Sequence, residues 1–90
     1  MYSIVATGRF TKDLKVIIKR GYDVGLLDEI IRLLSEGKKL PKQNRDHSLS
    51  GNYKGYRECH ITNDWILIYK IEVDIIVLTL SRTGTHSDLF

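Results

Sequence analysis

Cysteine and proline are nearly absent from this chain, each occurring once in 90 residues. A lone Cys59 cannot close an internal disulfide, and it cannot supply the paired thiolates of a zinc finger. One proline and seven glycines are too few for a disordered or collagen-like chain. No apolar run approaches the ~20 residues that a membrane span needs. The opening Met1-Tyr2-Ser3-Ile4 has no basic segment ahead of a long apolar core, so no secretory signal is expected. The expectation is a cytoplasmic protein that does not engage a membrane. What is present is ordinary globular composition, 42% hydrophobic and 28% charged. One domain spanning residues 1–90 is expected.

Net charge is +3, and its placement is uneven. Residues 37–57 carry six basic groups (Lys38, Lys39, Lys42, Arg45, Lys54, Arg57) against one acid, Asp46. Residues 58–90 reverse the balance, with two basic and five acidic groups. A concentrated basic patch attracts a polyanion, although a solvated, lysine-rich connection has the same composition.

Residues 2–7 are short and β-prone and end at Gly8, which reads as a first strand. Thr11 then reads as a helix cap. Phe10, Leu14, Ile17 and Ile18 recur at helical spacing, with Lys12, Lys15 and Lys19 as a basic stripe on another face. That helix is expected to stop at Gly21. A second helix is expected from the Asp23 cap to Gly37, with Leu26, Leu27, Ile30, Ile31, Leu33 and Leu34 as its apolar stripe. Residues 38–55 read as a long polar loop, of a length that is often functional. Strands are expected at Tyr56–Ile61, Trp65–Ile71 and Ile75–Ser81, leaving a polar tail from Arg82 to Phe90. The order β-α-α-β-β-β describes an α+β fold, two antiparallel helices packed on a small, mainly antiparallel sheet.

Three histidines stand out: His47 in the basic loop, His60 on a strand and His86 in the tail. Each alone reads as a structural or surface residue. Their neighbours change that reading. Tyr56, Glu58 and His60 alternate and share one strand face, expected to point to solvent or a cleft, while Cys59 and Ile61 face the core. Asp64 and Trp65 sit at the next turn, and Arg82 ends the last strand. If the tail folds back, His86 joins them. Imidazoles, acids and arginines together suit acid–base chemistry on a phosphodiester. A base takes the 2′-hydroxyl proton, the oxygen attacks phosphorus, and an acid protonates the leaving 5′ oxygen. The reaction needs a 2′-hydroxyl, so it cuts RNA and not DNA. It needs no cofactor and no metal. A metal site reads weakly, because no histidine pair has helical ligand spacing. Gly51–Gly55 lacks the spacing and following helix of a P-loop. Tyr53 and Tyr56, interleaved with Lys54 and Arg57, suit base stacking and phosphate contact, or else simple packing at the sheet edge.

The run Asp46-His47-Ser-Leu-Ser-Gly-Asn-Tyr-Lys-Gly-Tyr-Arg57, then His60, Asp64-Trp65-Ile-Leu-Ile-Tyr69 and Arg82-Thr-Gly-Thr-His86-Ser-Asp-Leu-Phe90 resembles the YafQ branch of the RelE/ParE toxin superfamily. The resemblance implies a bacterial type II toxin that binds the A site of the 70S ribosome and cuts mRNA during translation. It also implies a cognate, DinJ-like antitoxin that holds the toxin inactive in a hetero-oligomer. By resemblance, His47, His60, Asp64, Arg82, His86 and Phe90 belong to the active site, with His86 as general acid and Arg82 as phosphate stabiliser. Asp64, His60 and Glu58 compete for the role of base. Trp65 and Phe90 are placed to pack on a base or to order the tail. The chain carries Tyr53 where relatives often have Trp.

Two other readings remain. The ParE side of the superfamily inhibits DNA gyrase by binding, without catalysis, and generally lacks such histidines. A non-catalytic RNA-binding module would depend on Lys38, Lys39 and Lys42 and be indifferent to His86. In either RNA reading, the stripe of Lys12, Lys15 and Lys19 and the loop Lys38–Arg45 carry much of the ribosomal RNA contact.

Overall fold

The computed structural model describes all 90 residues, Met1–Phe90. The elements are β1 (Ser3–Ala6), α1 (Gly8–Lys19), α2 (Val24–Ser35), β2 (His47–Ser48), β3 (Arg57–Thr62), β4 (Trp65–Glu72), β5 (Val77–Gly84) and α3 (His86–Leu89). One sheet runs in the order β1-β5-β4-β3-β2. Only the β1–β5 pair is parallel. The α+β class and the order of the main elements match the sequence reading. No helix is long and apolar enough to cross a membrane.

Helix α1 begins four residues earlier than expected. Thr7, not Thr11, is its N-cap: the Thr7 hydroxyl oxygen accepts the Phe10 N–H at 3.1 Å. Phe10 and Ile17 are buried, but Ile18 is 56% exposed. Each helical residue turns the chain by ~100°, so Ile18 rotates off the stripe that Ile17 occupies. Helix α2 follows the reading closely, except that Leu26 lies off the buried stripe and is 44% exposed. The Asp23 carboxylate caps it by accepting the Gly25 N–H at 3.0 Å. Gly37, at φ +74°, ends it, and the Lys38 N–H reaches back to the Leu33 carbonyl at 3.0 Å.

The two helices cover one face of the sheet. Phe10, Ile17, Leu27, Ile30 and Leu34 meet Cys59, Trp65, Leu67, Tyr69, Leu78 and Leu80 in one apolar cluster. Ile66 and Ile68 alternate with those β4 residues and face the other way, yet they too are fully buried. Strand β4 is therefore enclosed on both faces. Cys59 is completely enclosed, and burial pushes its thiol up to about 12. It is expected to stay unmodified by maleimide in the native protein and to react only after denaturation, as intact-mass measurement will show. Rapid native labelling would contradict its burial.

Three expectations about the second half are corrected. The 38–55 loop is not structureless: it holds one-turn 3-10 segments at Lys42–Asn44 and Gly51–Tyr53, with β2 between them. The last strand is shifted, because Ile75 and Ile76 are used in the turn and lie 59% and 53% exposed. Ile76 has φ +56°, outside any strand conformation. Arg82 thus belongs to β5 rather than to a tail. The register then breaks, with Tyr69 opposite Leu80 but Ile68 opposite Arg82. Ser81 is the extra residue of a β-bulge. Strict alternation from Leu78 and Leu80 would send Arg82 into the core; the bulge turns it to the face of Ile68 and Glu58. Finally, the tail is ordered. Thr85 and Asp88 form a reciprocal capping box around α3.

Candidate active site

Cross-strand pairing builds the site on the sheet face away from the helices. His47 of β2 lies opposite Glu58, Glu58 opposite Ile68, His60 opposite Ile66, and Ile68 opposite Arg82. These residues share one face, floored by Ile66 and Ile68. Of the two expected settings for this face, solvent or a cleft, it takes the second: Glu58 is 4% and His60 9% exposed. The His47 segment and the returning tail cover it.

Glu58 is the centre. Its Oε2 lies 3.2 Å from His47 Nε2, 3.8 Å from His60 Nε2 and 3.7 Å from His86 Nε2. Only the first is a hydrogen-bond distance. The side chains of His47 and His86 are about half exposed, at 49% and 47%, whereas that of Glu58 is 6% exposed. One buried carboxylate therefore sits among three imidazoles, two of which reach solvent. The His60 and His86 ring centres are 5.4 Å apart, as the folded-back tail required.

His86 is held by its helix and by two contacts beyond it. Phe90 stacks on its ring at 6.0 Å, and Tyr53 meets Phe90 edge-on at 5.7 Å. Asp88 accepts paired hydrogen bonds of 2.7 and 3.1 Å from Arg20, the residue that ends α1. The hydrogen bond from Arg20 holds the Asp88 carboxyl well below the usual carboxylate range.

Arg82 does not stand free. Asp13 on α1 accepts from its guanidinium at 2.6 and 3.1 Å and from the Thr83 N–H at 3.2 Å. Both side chains are about 15% exposed, at 14% and 15%. The hydrogen bond to Asp13, countered in part by burial, raises the Arg82 pKa further. Arg82 therefore carries a fixed positive charge in a fixed orientation.

Two residues are placed differently from the sequence reading. Trp65 was grouped with the substrate contacts, but it is 1% exposed and packs against Tyr22 in the helix-covered core. Its indole N–H donates to the Thr83 hydroxyl at 2.8 Å. It cannot stack on a base. Asp64 lies exposed in the β3–β4 turn, and no hydrogen bond or ion pair joins it to the Glu58 cluster. Of the expected base contacts, Tyr53 and Tyr56 are half-buried and meet edge-on at 6.1 Å. Arg57 is tied to Asp46, which also accepts from the Tyr69 hydroxyl. Lys12, Lys15, Lys19, Lys38, Lys39, Lys42 and Lys54 are exposed, with Lys38 paired to Glu36 at 3.2 Å.

The sequence reading missed Asp13, Arg20, Asn44 and Asp88 as supports of the site. Only Asp88 had a local signal, the Thr-x-x-Asp capping spacing. It also set a metal aside. Yet Glu58, His60 and His86 bring one ligand atom each within 4.8 Å of one another. Two imidazoles and a carboxylate form a donor set that zinc or copper accepts. Helical spacing could not reveal it, because the three residues come from a strand and the tail.

The architecture, two helices on one face of a mainly antiparallel five-stranded sheet with a polar cluster on the other, is the RelE-like α+β fold. Residues 2–90 match the family described as the bacterial toxin of type II toxin–antitoxin systems, YafQ. The chain belongs to that family. It is 42% identical over 85 residues to the mRNA interferase toxin YafQ of Escherichia coli K12, covering 93% of this chain and 90% of that protein. The crystal structure of the E. coli DinJ–YafQ toxin–antitoxin complex superposes with a TM-score of 0.89 at 41% identity, covering 99% of this chain and 97% of that one. A metal-bound toxin from Helicobacter pylori superposes with a TM-score of 0.94 at 39% identity over 100% of both chains.

Proposed function

We propose that this protein is a ribosome-dependent endoribonuclease toxin that cuts translated mRNA in the cytoplasm and so inhibits translation, and that a DinJ-like antitoxin neutralises it. The carrying observation is the buried Glu58 carboxylate among three imidazoles, with Arg82 on the same sheet face.

In this reading Glu58 takes the 2′-hydroxyl proton, with His47 and His60 holding the carboxylate in place. The new bond is P–O2′ and the broken bond is P–O5′. His86, half exposed and supported by Phe90, gives its proton to the leaving 5′ oxygen. Arg82, already oriented by Asp13, meets the charge that develops on the phosphoryl oxygens. A cleft of about 620 Å³ lies beside this group, lined by Arg9, Ser50, Asn52, Tyr53, Leu89 and Phe90. Its two aromatic walls suit a base flanking the scissile bond. Side chains supply the acid and the base, so cleavage is expected to survive chelation by EDTA. A metal ion held by Glu58, His60 and His86 would occupy those same groups.

Primer extension on a translated reporter mRNA tests the reading, with purified ribosomes and a ribosome-free control. Codon-phased cuts that require ribosomes support it. Absence of cuts from a folded, ribosome-binding protein overturns it, and inhibition of gyrase supercoiling would then favour the ParE-like alternative.

Binding to ribosomal RNA is assigned to the exposed basic surface. Lys12, Lys15 and Lys19 form one stripe on α1, clear of the core. Their exchange for glutamate is expected to weaken ribosome association by about tenfold or more at low salt, since lysine–phosphate contacts release counterions. Sedimentation with 70S particles across a salt series measures this. An unchanged affinity would remove α1 from the interface.

A further inference from the structure

Arg45 sits in a backbone conformation that its side chain does not favour. It ends the Lys42–Asn44 turn at φ +44° and ψ +46°, in the left-handed region. Few residues other than glycine and asparagine hold that conformation, and proteins that keep such strain often keep it at a working site. The strain here has a visible result. With the chain turned this way, the Arg45 carbonyl accepts from His47 Nδ1 at 2.7 Å. The guanidinium of the same residue turns inward, and its Nη2 lies 3.1 Å from His60 Nδ1. The preceding side chain, Asn44, is buried and donates its amide to the His60 carbonyl at 2.7 Å. One short segment thus grips two of the three histidines beside Glu58.

The chemistry of the guanidinium makes the second contact selective. Arginine has N–H donors and no lone pair to offer. Its hydrogen bond to His60 Nδ1 forms only when that nitrogen carries no proton. The ring proton is then on Nε2, the nitrogen facing Glu58 Oε2 at 3.8 Å. A competing partner is present: the Asn63 carbonyl lies 3.3 Å from the same Nδ1 and favours the opposite tautomer. That tautomer would turn the Nε2 lone pair toward a carboxylate, where two acceptors meet without a proton between them.

We propose that Arg45 is a positioning residue of the site, whose guanidinium fixes the Nε2–H tautomer of His60 while its carbonyl aims His47 at Glu58. This rests on the acid–base reading above. It separates Arg45 from the lysines of the basic loop, with which its charge alone groups it.

Arg45→Gly tests the assignment. Glycine accepts φ +44° readily and keeps the carbonyl for His47, so the variant loses the guanidinium and little else. Long-range ¹H–¹⁵N correlation of the imidazoles in the free protein reads the tautomer directly. The wild type is expected to show His60 protonated at Nε2, and Arg45→Gly to show a shift toward Nδ1–H. In ribosome-dependent cleavage the variant is expected to lose kcat by about tenfold or more, part of the ~10²–10⁴ that positioned acid–base groups supply. Its KM for programmed ribosomes should stay unchanged, and its melting temperature should equal or exceed that of the wild type. Arg45→Lys keeps the positive charge without the guanidinium fork, and it should not restore the tautomer. A wild-type His60 protonated at Nδ1, or a tautomer identical in Arg45→Gly, overturns the proposal. So does a raised KM with kcat intact, the signature of a phosphate contact. Because the tautomer is read without ribosomes, a failed nuclease reading and a failed Arg45 assignment give different results.

Discussion

Replacement of His86 by alanine is expected to lower single-turnover cleavage on programmed ribosomes by about 10²–10⁴-fold, the usual contribution of a positioned general acid. Ribosome binding should be unaffected. His86 is half exposed and outside the apolar core, so its loss opens no cavity there. It is the tail imidazole within 3.7 Å of Glu58, and Phe90 stacks on its ring. The other two imidazoles are less free to give the leaving-group proton: both His47 ring nitrogens are engaged, by the Arg45 carbonyl and by Glu58 Oε2, and His60 is buried. The loss should therefore fall on kcat and spare KM, as it does for an interaction made only in the transition state. A loss of less than tenfold would take the acid role away from His86.

The second large effect is on stability. Trp65→Ala is expected to cost about 3–5 kcal/mol, the range for removing a buried large aromatic. The indole is 1% exposed, packs edge-on against Tyr22 at 5.1 Å, and satisfies the buried Thr83 hydroxyl. For a domain of this size each kcal/mol moves the melting point by ~4–8 °C, so a fall of roughly 12–40 °C should appear in thermal denaturation. Trp65→Phe keeps much of the apolar volume and should retain cleavage below its own melting temperature. A base-stacking Trp65 would behave otherwise, with normal melting in Trp65→Ala and a raised KM. That outcome would contradict the placement of Trp65 in the core.

Trp65 also shows why the sequence reads well for elements and less well for faces. Alternation assigns a face only when one side of a strand is polar. In β4 both Trp65-Leu67-Tyr69 and Ile66-Ile68 are buried, so the pattern carries no direction. Strand β3 does alternate, and Glu58 and His60 were placed on one face from sequence alone. What covers that face was not legible, because β2 is two residues long and α3 is a single turn. The Arg82 orientation depends on a bulge at Ser81, which no local residue preference announces. Its partner is 69 positions away, on a helix where Asp13 between Lys12 and Lys15 reads as one more solvated charge. The linked histidine, arginine and tail motifs were legible by resemblance, and the family match over residues 2–90 agrees with them.

If side chains drive attack by the neighbouring 2′-hydroxyl, the ends of the cut RNA carry its signature. Cleavage products from translating ribosomes should carry a 5′-hydroxyl on the downstream fragment. The upstream fragment should carry a 2′,3′-cyclic phosphate or the 3′-phosphate it hydrolyses to. The downstream fragment would then accept label from polynucleotide kinase without prior phosphatase treatment. That result is expected with and without EDTA. A 5′-phosphate and a free 3′-hydroxyl would mean that water, not the 2′-oxygen, attacks phosphorus, and would contradict it.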